Sequence, residues 1–240
     1  MHPVIENRHA RLATPAPPVR LRELVSVPDP VPLPAVSRAT ELAMRFIDVT
    51  GALLLMLVFA PVILAASILV KLTSAGPVIF RQDRVGKGGE SFVVLKFRTM
   101  ADGTHEQVLA DPELRRLYEA NDFKLPEGHA HITGIGKWLR KTSLDELPQL
   151  MNVLRGEMGL VGVRPIERDQ LVLRNKYDRD LYCMHRPALT GLWQVEGRST
   201  YRDEHRVDLD RRCLEAWGIS FNLKILARTP SVVLGGVGAH

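Results

Sequence analysis

The chain has 240 residues, enough for one domain of ordinary size with appendages, and its 32 Lys and Arg against 27 Asp and Glu leave a net charge of +5. This modest excess suits an anionic partner such as phosphate or acidic lipid. Without a zinc-finger, helix-turn-helix or aromatic-basic RNA motif, it does not indicate nucleic acid binding. Two cysteines are too few for a disulfide scaffold and lack the spacing of metal ligands.

The first segment, residues 1–37, is rich in Pro, Val and Ala and has no sustained hydrophobic period. Its prolines would interrupt any helix or central strand. It does not resemble a signal peptide, because the apolar run begins too late and no small-residue cleavage site follows it. We therefore predict a disordered, Pro-rich cytoplasmic tail.

A long apolar segment follows, with no charged residue from Val49 to Val70. It exceeds the roughly 18 residues that indicate a membrane helix. The alternative is a buried core helix, but such helices are rarely apolar all round for so long. Pro61 predicts a kink in this helix. Because cations flank both ends, at Arg45 and Lys71, the positive-inside rule does not indicate which way a spanning helix would be oriented. We favour a re-entrant helix over residues 38–72, with a straight span as the alternative.

Residues 73–240 are predicted to form a cytosolic catalytic domain of the α+β class, mainly helical. Strand-like runs at 78–82 and 92–97 flank a glycine-rich turn and predict a β-hairpin. Residues 104–120 have a helical pattern that Pro112 can divide in two. Further helices are predicted over 134–140, 146–155, 166–182, 203–217 and 220–234.

Two adjacent carboxylates, Asp145 and Glu146, stand at a predicted helix start. Ser143 and Glu146 have the spacing of a capping box; alternatively Asp145 is the N-cap and Pro148 falls in the first turn. In both arrangements the carboxylates lie at the positive end of a helix dipole, which favours ionised Asp. Capping alone is therefore one interpretation of this pair, and chemistry is the other.

An ionised Asp in a cationic pocket can attack phosphorus and form an acyl phosphate, while an adjacent Glu can bind a metal or handle protons. Arg140 lies five residues before Asp145 and is within reach of it if the preceding turn folds back. Lys96 and Arg98 are two residues apart on a predicted strand and therefore lie on the same face. There they can bind a diphosphate or pair with the carboxylates. The alternative for this strand is a solvated hairpin edge.

Two later segments carry further candidate residues. The glycines between Gly156 and Arg164 allow close approach of backbone to a ligand, and Arg164 offers a fork of donors suited to phosphate. Trp193 can stack on a base or sugar, lie at a membrane interface, or belong to the core. Arg198 follows a glycine and is a second candidate for donating hydrogen bonds to phosphate.

Taken in order, these segments resemble the bacterial sugar transferase family, which comprises monotopic phosphoglycosyl transferases that initiate glycoconjugate assembly. The resemblance runs from about Arg45 to Ala239. The sequences that carry it are GPVIFRQDRVGKGG (76–89), KFRTM (96–100), KTSLDELPQLMNVLRGEM (141–158), RP (164–165), LTGLWQVEGR (189–198) and LKIL (223–226).

The resemblance implies a transfer of hexose 1-phosphate from a UDP-hexose to polyprenyl (undecaprenyl) phosphate at the cytoplasmic face of the bacterial inner membrane. Asp145 would be the nucleophile that forms a phosphosugar-aspartate intermediate and releases UMP, with Glu146 beside it and Mg²⁺ at the pair. Galactose or glucose is the expected sugar, membrane lipid is a further partner, and a homo-oligomer stays open. Basic positions that the family uses for phosphate are Lys96, Arg98, Arg140, Arg164 and Arg198. Supporting positions are Glu157, Pro165 and Trp193.

The chain departs from the family pattern at several positions that spare the carboxylate pair. These are Ala60, Glu157, Gly159, Val163, Ala188 and Asn222. The departures bear on the geometry of the phosphate pocket and on sugar preference. The chain also resembles a minimal version, without the multi-span N-terminal region of larger relatives. Competing hypotheses are a catalytically inactive membrane scaffold of a polysaccharide assembly complex and a membrane phosphohydrolase, in which water accepts the phosphosugar.

Overall fold

The computed structural model describes residues 36–121, 125–126, 128–196 and 203–234. This part of the chain is mainly helical, as the sequence predicts. The longer helices are α1 (Arg38–Thr73), α3 (Pro112–Ala120), α4 (Gly134–Thr142), α7 (Lys176–Met184), α9 (Asp203–Glu215) and α10 (Ile219–Leu234). The shorter helices are α2 (Thr104–Ala110), α5 (Gln149–Arg155), α6 (Arg168–Leu173) and α8 (Leu192–Glu196). The predicted tail lies almost wholly outside the described residues.

The predicted hairpin is confirmed. Strands β1 (Ile79–Val85) and β2 (Ser91–Phe97) pair antiparallel, with Ile79 opposite Phe97 at one end and Val85 opposite Ser91 at the other. A short 3₁₀ turn, Lys87–Gly89, joins them, and Gly88 has the positive φ of 75° that this tight turn requires.

A second, parallel pair was not predicted. It consists of β3 (Gly159–Val161) and β4 (Ala188–Thr190). Strands of three residues are too short to show a period of two in the sequence. At their ends the backbones come very close, since a Cβ on Gly191 would collide with the carbonyl oxygen of Gly162. These glycines therefore serve backbone packing within the fold.

Helix α1 begins at Ser37, whose hydroxyl accepts a hydrogen bond from the Thr40 amide, and continues through Pro61 without a break. By length and composition it can cross a membrane, with a mean hydropathy of 2.9 over its most apolar window. Only 11% of that window is buried, which argues against a soluble core helix. Its most exposed apolar side chains include Leu57 (75% exposed) and Leu72 (77%).

One narrow face of α1 packs on the domain along both halves of the helix. In the first half, Met44, Asp48 and Ala52 are buried at spacings of four residues. In the second half, Ala66 and Val70 pack in a cluster with Phe97 and Leu139. The two flanks of the apolar segment therefore contact the same folded unit.

Polar contacts secure the first half of α1. Arg45 donates to the carbonyl oxygens of Val153 (2.5 Å) and Leu154 (2.7 Å) near the end of α5, and Asp48 accepts from the Leu160 amide at 2.8 Å. The guanidinium thus satisfies carbonyls that a helix terminus leaves without partners. The sequence pattern indicated Arg45 only as a flanking charge and did not predict either contact.

Two of the predicted helices differ clearly from the prediction, and a third prediction is confirmed. The expected single helix over 166–182 is wrong: the chain is extended at Arg174, and Asn175 starts α7 by accepting a hydrogen bond from the Asp178 amide at 3.0 Å. The helix expected from 146 begins at Gln149. The division at Pro112 is confirmed, with Asp111 capping α3.

Candidate active site

The carboxylate pair lies in a single 3₁₀ turn, Leu144–Glu146, between α4 and α5. Ser143 ends α4 in the left-handed region (φ 58°) and makes no side-chain cap, and Pro148 precedes the first residue of α5. Both predicted arrangements, the capping box and the Asp145 N-cap, are therefore wrong. The pair lies between the negative end of one helix and the positive end of the next, so the dipole of α5 alone does not set its charge.

The residue after the pair fixes the orientation of this turn. Leu147 packs against two hydrophobic clusters. One is the main core cluster, whose buried residues include Leu150, Met158 and Leu181, and the other lies beneath the second half of α1. Its amide donates to the Leu144 carbonyl at 3.2 Å, which closes the 3₁₀ turn. Both carboxylates lie in the wall of a large cavity, which Lys96, Arg140 and Arg164 also line, and the apolar packing directly below holds them there.

Two cations hold Glu146. Its Oε1 pairs closely with Nη2 of Arg164 and lies 3.6 Å from Nζ of Lys96. All three side chains are largely buried, with 16%, 27% and 18% of Glu146, Arg164 and Lys96 exposed. Charge-assisted contacts of this kind hold the Glu146 carboxylate in one orientation.

Asp145 lines the same cavity beside these groups. Burial, together with the negative charge of Glu146, raises the pKa of Asp145 to about 6, against the opposing influence of Lys96, Arg140 and Arg164. The carboxylate is thus ionised at neutral pH but weakly solvated, a state that suits a nucleophile.

The basic residues divide into two groups by position. Burial first, and then the charge of Arg164, lowers the pKa of Lys96 to about 8. Arg140 donates from Nε to the Thr99 hydroxyl at 2.9 Å and acts electrostatically on Asp145. Lys96, Arg140 and Arg164 therefore lie around the carboxylate pair, and their predicted contacts with phosphate stay a prediction.

Arg98 lies elsewhere. Its guanidinium donates to the carbonyl oxygens of Ser74 (2.9 Å) and Ala75 and to the Ser74 hydroxyl (2.8 Å), directly after the end of α1. It is 4% exposed and also lines the cavity. Its contacts are those of a helix C-cap, and its predicted role toward phosphate stays a prediction. Arg198 lies outside the described residues.

The supporting residues are placed as follows. Glu157 accepts from Nδ2 of Asn152 at 2.7 Å, and Pro165 follows Arg164 in the cavity wall. Trp193 is 8% exposed in the main core cluster, with the guanidinium of Arg206 5.0 Å from its ring centroid. Trp193 thus packs in the core but also lines the cavity, and its stacking on a base or sugar stays a prediction.

The sequence reasoning missed Asn152, which is fully buried. It accepts from the Leu95 amide at 3.1 Å and donates to the Val93 carbonyl at 2.7 Å, so it ties α5 to β2. This contact sets the helix after the carboxylate pair against the strand that carries Lys96. A polar residue at a core position of α5 was the signal that could have indicated it.

A second missed residue is Arg84 on β1, which lines the cavity and is 9% exposed. Its Nη1 pairs with Glu167 at 3.1 Å and its Nη2 donates to Gln82 at 2.6 Å, while Tyr118 donates to the same Glu167 at 2.8 Å. Gln82 and Arg84 are two residues apart on β1 and therefore lie on the same face of the strand. This spacing could have indicated a pair of polar residues that face inward.

Three departures from the family pattern have a structural setting. A Cβ on Gly159 would lie 3.3 Å from the Asp48 carboxylate, so the glycine leaves room for the contact that holds α1. Asn222 is fully buried, with its amide 3.7 Å from the Met44 sulfur, and joins α10 to α1. Val163 is fully buried in the core.

Among the described residues, no cluster of three or more His, Cys, Asp or Glu side chains could hold a metal by itself. The carboxylate pair nevertheless fits one kind of ion. Mg²⁺ is usually bound by one or two carboxylates together with the phosphates of a substrate. Asp145 and Glu146 would supply the carboxylates of such a site.

Comparisons with known proteins agree on one family. The chain is 38% identical over 207 residues to an undecaprenyl-phosphate galactose phosphotransferase of Salmonella typhimurium, covering 85% of this chain and 43% of that protein. It is 38% identical to the exopolysaccharide production protein ExoY of Rhizobium meliloti, covering 80% and 86%. It is also 38% identical to a UDP-glucose:undecaprenyl-phosphate glucose-1-phosphate transferase of Caulobacter vibrioides, covering 84% and 73%.

The chain spans less than half the length of several of its curated relatives, including the Salmonella protein. The profile of the family described as bacterial sugar transferase nevertheless matches residues 39–236. That range contains the long apolar helix, the hairpin, the carboxylate pair and the cations around it. The chain therefore belongs to the bacterial sugar transferase family.

Proposed function

We propose that this protein transfers a hexose 1-phosphate from a UDP-hexose to undecaprenyl phosphate and releases UMP. The observation that carries the proposal is the Asp145 carboxylate in a cavity wall, with its pKa raised by burial and by Glu146, and with Lys96, Arg140 and Arg164 around it. The names of the Salmonella and Caulobacter relatives, one a galactose and one a glucose transferase, support a hexose of either kind.

In the first step, an Asp145 oxygen attacks the β-phosphorus of the UDP-hexose. The new bond joins the carboxylate to the phosphosugar, and the bond between this phosphorus and the bridging oxygen breaks, so that UMP leaves with the electron pair. The buried cations offset the charge that develops on the phosphoryl oxygens and on the leaving group. Arg164 and Lys96 are already held by Glu146, so little reorganisation is needed.

In the second step, a phosphate oxygen of undecaprenyl phosphate attacks the same phosphorus. The bond to Asp145 breaks, the carboxylate is regenerated, and the product is undecaprenyl-diphosphate hexose. Dividing one transfer into two displacements at a single carboxylate is a general advantage of covalent catalysis. Mg²⁺ bound at Asp145 and Glu146 would offset charge on the diphosphate.

The setting that we propose is the cytoplasmic face of the bacterial inner membrane, with α1 re-entrant. The supporting observation is that Met44, Asp48 and Ala52 in one half, and Ala66 and Val70 in the other, all pack on the same domain. A helix that crossed a bilayer would carry its two ends to opposite faces. One domain on one face cannot contact both ends of such a helix.

The test is a search for the covalent intermediate. Purified protein in nanodiscs is incubated with Mg²⁺ and UDP-galactose, UDP-glucose or UDP-N-acetylgalactosamine, without lipid acceptor, and the intact mass is measured. We expect a hexose phosphate adduct on the peptide that contains Asp145, stoichiometric UMP release, and discharge of the adduct by undecaprenyl phosphate. Asp145→Asn should form none, whereas the surface variant Asp169→Asn, at a side chain that is 67% exposed, should behave as wild type.

Other outcomes separate the alternatives. Repeated turnover of UDP-hexose without lipid would indicate a phosphohydrolase. Folded protein that forms no adduct with any donor and releases no UMP would indicate an inactive scaffold. An adduct that persists in Asp145→Asn would reassign the nucleophile.

A further inference from the structure

The cavity that contains the carboxylate pair extends far beyond it. Its volume is about 1880 Å³, larger than the about 300–1,000 Å³ typical of small-molecule sites. One part of its boundary is formed by α8 and α9, and we call this part the α8–α9 wall. Its lining residues are Trp193, Gln194, Val195, Arg206, Val207 and Asp210.

The charged side chains of the α8–α9 wall contact other protein groups. Oδ2 of Asp210 accepts a hydrogen bond from Nη2 of Arg174 at 2.7 Å, and the guanidinium of Arg206 lies 5.0 Å from the centroid of the Trp193 ring. The second oxygen of Asp210 has no hydrogen-bond partner within the described residues. Both arginines are thus engaged, and the cations that suit phosphate are those around Asp145.

Gln194 differs from these neighbours because its side chain lacks partners. It is 9% exposed, and neither Nε2 nor Oε1 forms a hydrogen bond within the described part of the chain. The amide lies against the start of α8, where a Cβ on Gly191 would come within 2.9 Å of Oε1. Buried side-chain amides are usually paired, and leaving both atoms unpaired opposes folding. A ligand that pairs with the amide would remove this penalty.

The surface around this amide offers a ligand few other hydrogen bonds. The hydroxyls of Thr190 and Thr229 lie 3.1 Å apart and pair with each other. A ligand group bound here would therefore contact apolar surface and find the amide of Gln194 and one oxygen of Asp210 for hydrogen bonding. Apolar residues that line this part of the cavity are Leu189, Val195, Val207 and Leu226.

Of the three parts of a UDP-hexose, the base matches this surface best. The diphosphate is anionic and belongs with the cations around Asp145. The hexose carries hydroxyls on several sides, and apolar side chains would leave some of them unpaired. Uracil has two apolar faces and one edge, on which a ring N–H lies between two carbonyl oxygens. A side-chain amide matches that edge, because it donates from its nitrogen and accepts at its oxygen.

We propose that Gln194 binds the uracil ring of the UDP-hexose, with Nε2 donating to a ring carbonyl oxygen and Oε1 accepting from the N–H at ring position 3. This inference rests on the proposed transfer function and adds to it a residue that determines nucleotide specificity. Because uracil is common to UDP-galactose and UDP-glucose, the contact serves either donor. It also holds UMP in place while the first displacement occurs.

The experiment measures the binding of three soluble probes to the full chain in nanodiscs with Mg²⁺, by isothermal titration calorimetry. The probes are UMP, 3-methyl-UMP, in which a methyl group replaces the ring N–H, and ribose 5-phosphate, which has no base. Wild type should bind UMP about tenfold more tightly than 3-methyl-UMP, the effect expected for one lost hydrogen bond. Ribose 5-phosphate reports the contacts of the phosphate and the ribose alone.

Gln194→Met keeps the length of the side chain and removes its hydrogen bonds. In this variant the preference for UMP over 3-methyl-UMP should fall to within about twofold, while the affinity for ribose 5-phosphate should not change. Gln107→Met is the matched control. It lies at an exposed position of α2 outside the cavity lining and should keep the wild-type preference.

Thermal unfolding without nucleotide separates binding from a structural role. Because Gln194→Met removes two buried polar atoms that lack partners, the midpoint should stay the same or rise. A lower midpoint in a variant that retains the preference for UMP would assign Gln194 to the stability of the fold and overturn the inference.

Two further results would overturn the inference and leave the transfer function standing. One is equal binding of UMP and 3-methyl-UMP by wild type. The other is a Gln194→Met protein that keeps the preference for UMP but loses the difference in affinity between UDP-glucose and UDP, which would assign the residue to the hexose. Wild type that binds neither UMP nor UDP-glucose would overturn the proposed function first.

Discussion

The buried position of Asp145 lowers the stability of the folded protein. Burial, and then the charge of Glu146, raises the pKa of this carboxyl above its usual value. The ionised form is therefore less stable in the folded than in the unfolded chain, and at pH 7 this cost is present. Reactive groups are often held in surroundings that oppose folding in this way.

Asp145→Asn is expected to remove both the activity and the cost. Adduct formation should fall below detection, while the midpoint of thermal unfolding in detergent should rise by about 2–4 °C, the shift that about 1 kcal/mol produces in a chain of this size. Differential scanning fluorimetry of both proteins measures it. A fall in the midpoint would mean that Asp145 stabilises the fold by pairing with the surrounding cations.

The pH dependence of adduct formation should have an acid limb near pH 6. Below the raised pKa, Asp145 is protonated and cannot attack, so the rate falls as the pH decreases through about 6. Single-turnover rates between pH 5 and 8 measure the limb. Glu146→Gln removes the neighbouring negative charge, lowers the Asp145 pKa and should move the limb of the remaining activity to lower pH. A limb that does not move would exclude Glu146 as a cause of the shift.

An alkaline limb should follow from Lys96, whose pKa burial and Arg164 lower to about 8. As the pH rises above about 8, Lys96 loses its proton and the cavity loses one of its positive charges. Lys96→Arg keeps the charge at all these pH values and should abolish the limb when the single-turnover rates are extended above about pH 8. Persistence of the limb in that variant would assign it to another group.

At the scale of secondary-structure elements, two arginine side chains join α1 to parts of the chain that are distant in sequence. Arg45, inside the helix, donates to carbonyls at the end of α5, and Arg98, on β2, donates to the backbone directly after α1. The apolar helix is thereby fixed to both the hairpin and the helix that follows the carboxylate pair. These contacts fix the position of α1 relative to the cavity.

Arg98→Met tests whether this capping or phosphate binding is the main role of Arg98. We expect the free energy of unfolding to fall by about 2 kcal/mol or more, because buried carbonyls lose their donor. The KM for UDP-hexose, measured on folded protein, should stay within about twofold, a difference of less than 1 kcal/mol in binding. Arg116→Met, at an exposed position of α3, is the matched control and should change neither quantity. An increased KM at unchanged stability would instead support the role predicted from the sequence.

At the scale of the whole molecule, the exposed apolar face of α1 and the domain packed on its opposite face define one orientation toward a bilayer. We expect Ala39→Cys and Thr73→Cys, both exposed and near opposite ends of α1, to react with an impermeant maleimide from the same side of sealed vesicles. The experiment uses a background in which Cys183 is Ser. Leu57→Cys, at a side chain that is 75% exposed, should be protected by lipid.

Pro61→Leu in the same background tests whether the proline or the packing on the domain sets the topology of α1. Because Ala66 and Val70 contact the domain directly, we expect both flanks to stay on the same side in this variant. Labelling from opposite sides in wild type would establish a span. Opposite-side labelling only after the substitution would show that the proline determines the topology.

The sequence by itself determined the family, the mainly helical class, the hairpin and the carboxylate pair. Each is a local pattern: an apolar run, two alternating strands around glycines, or adjacent residues in an ordered set of motifs. Lys96, Arg140 and Arg164 were also predicted, because their charge and spacing indicate phosphate. Local chemistry is sufficient for such features, since neighbouring residues create them.

Only the tertiary structure decided how distant residues use these features. It placed the pair in a 3₁₀ turn, assigned Arg98 to the end of α1, and buried Asn152 between α5 and β2. Each depends on contacts between parts of the chain that are far apart in sequence. An arginine in a sequence does not show whether a backbone carbonyl or a phosphate accepts its hydrogen bonds. The packing of the folded chain selects the acceptor.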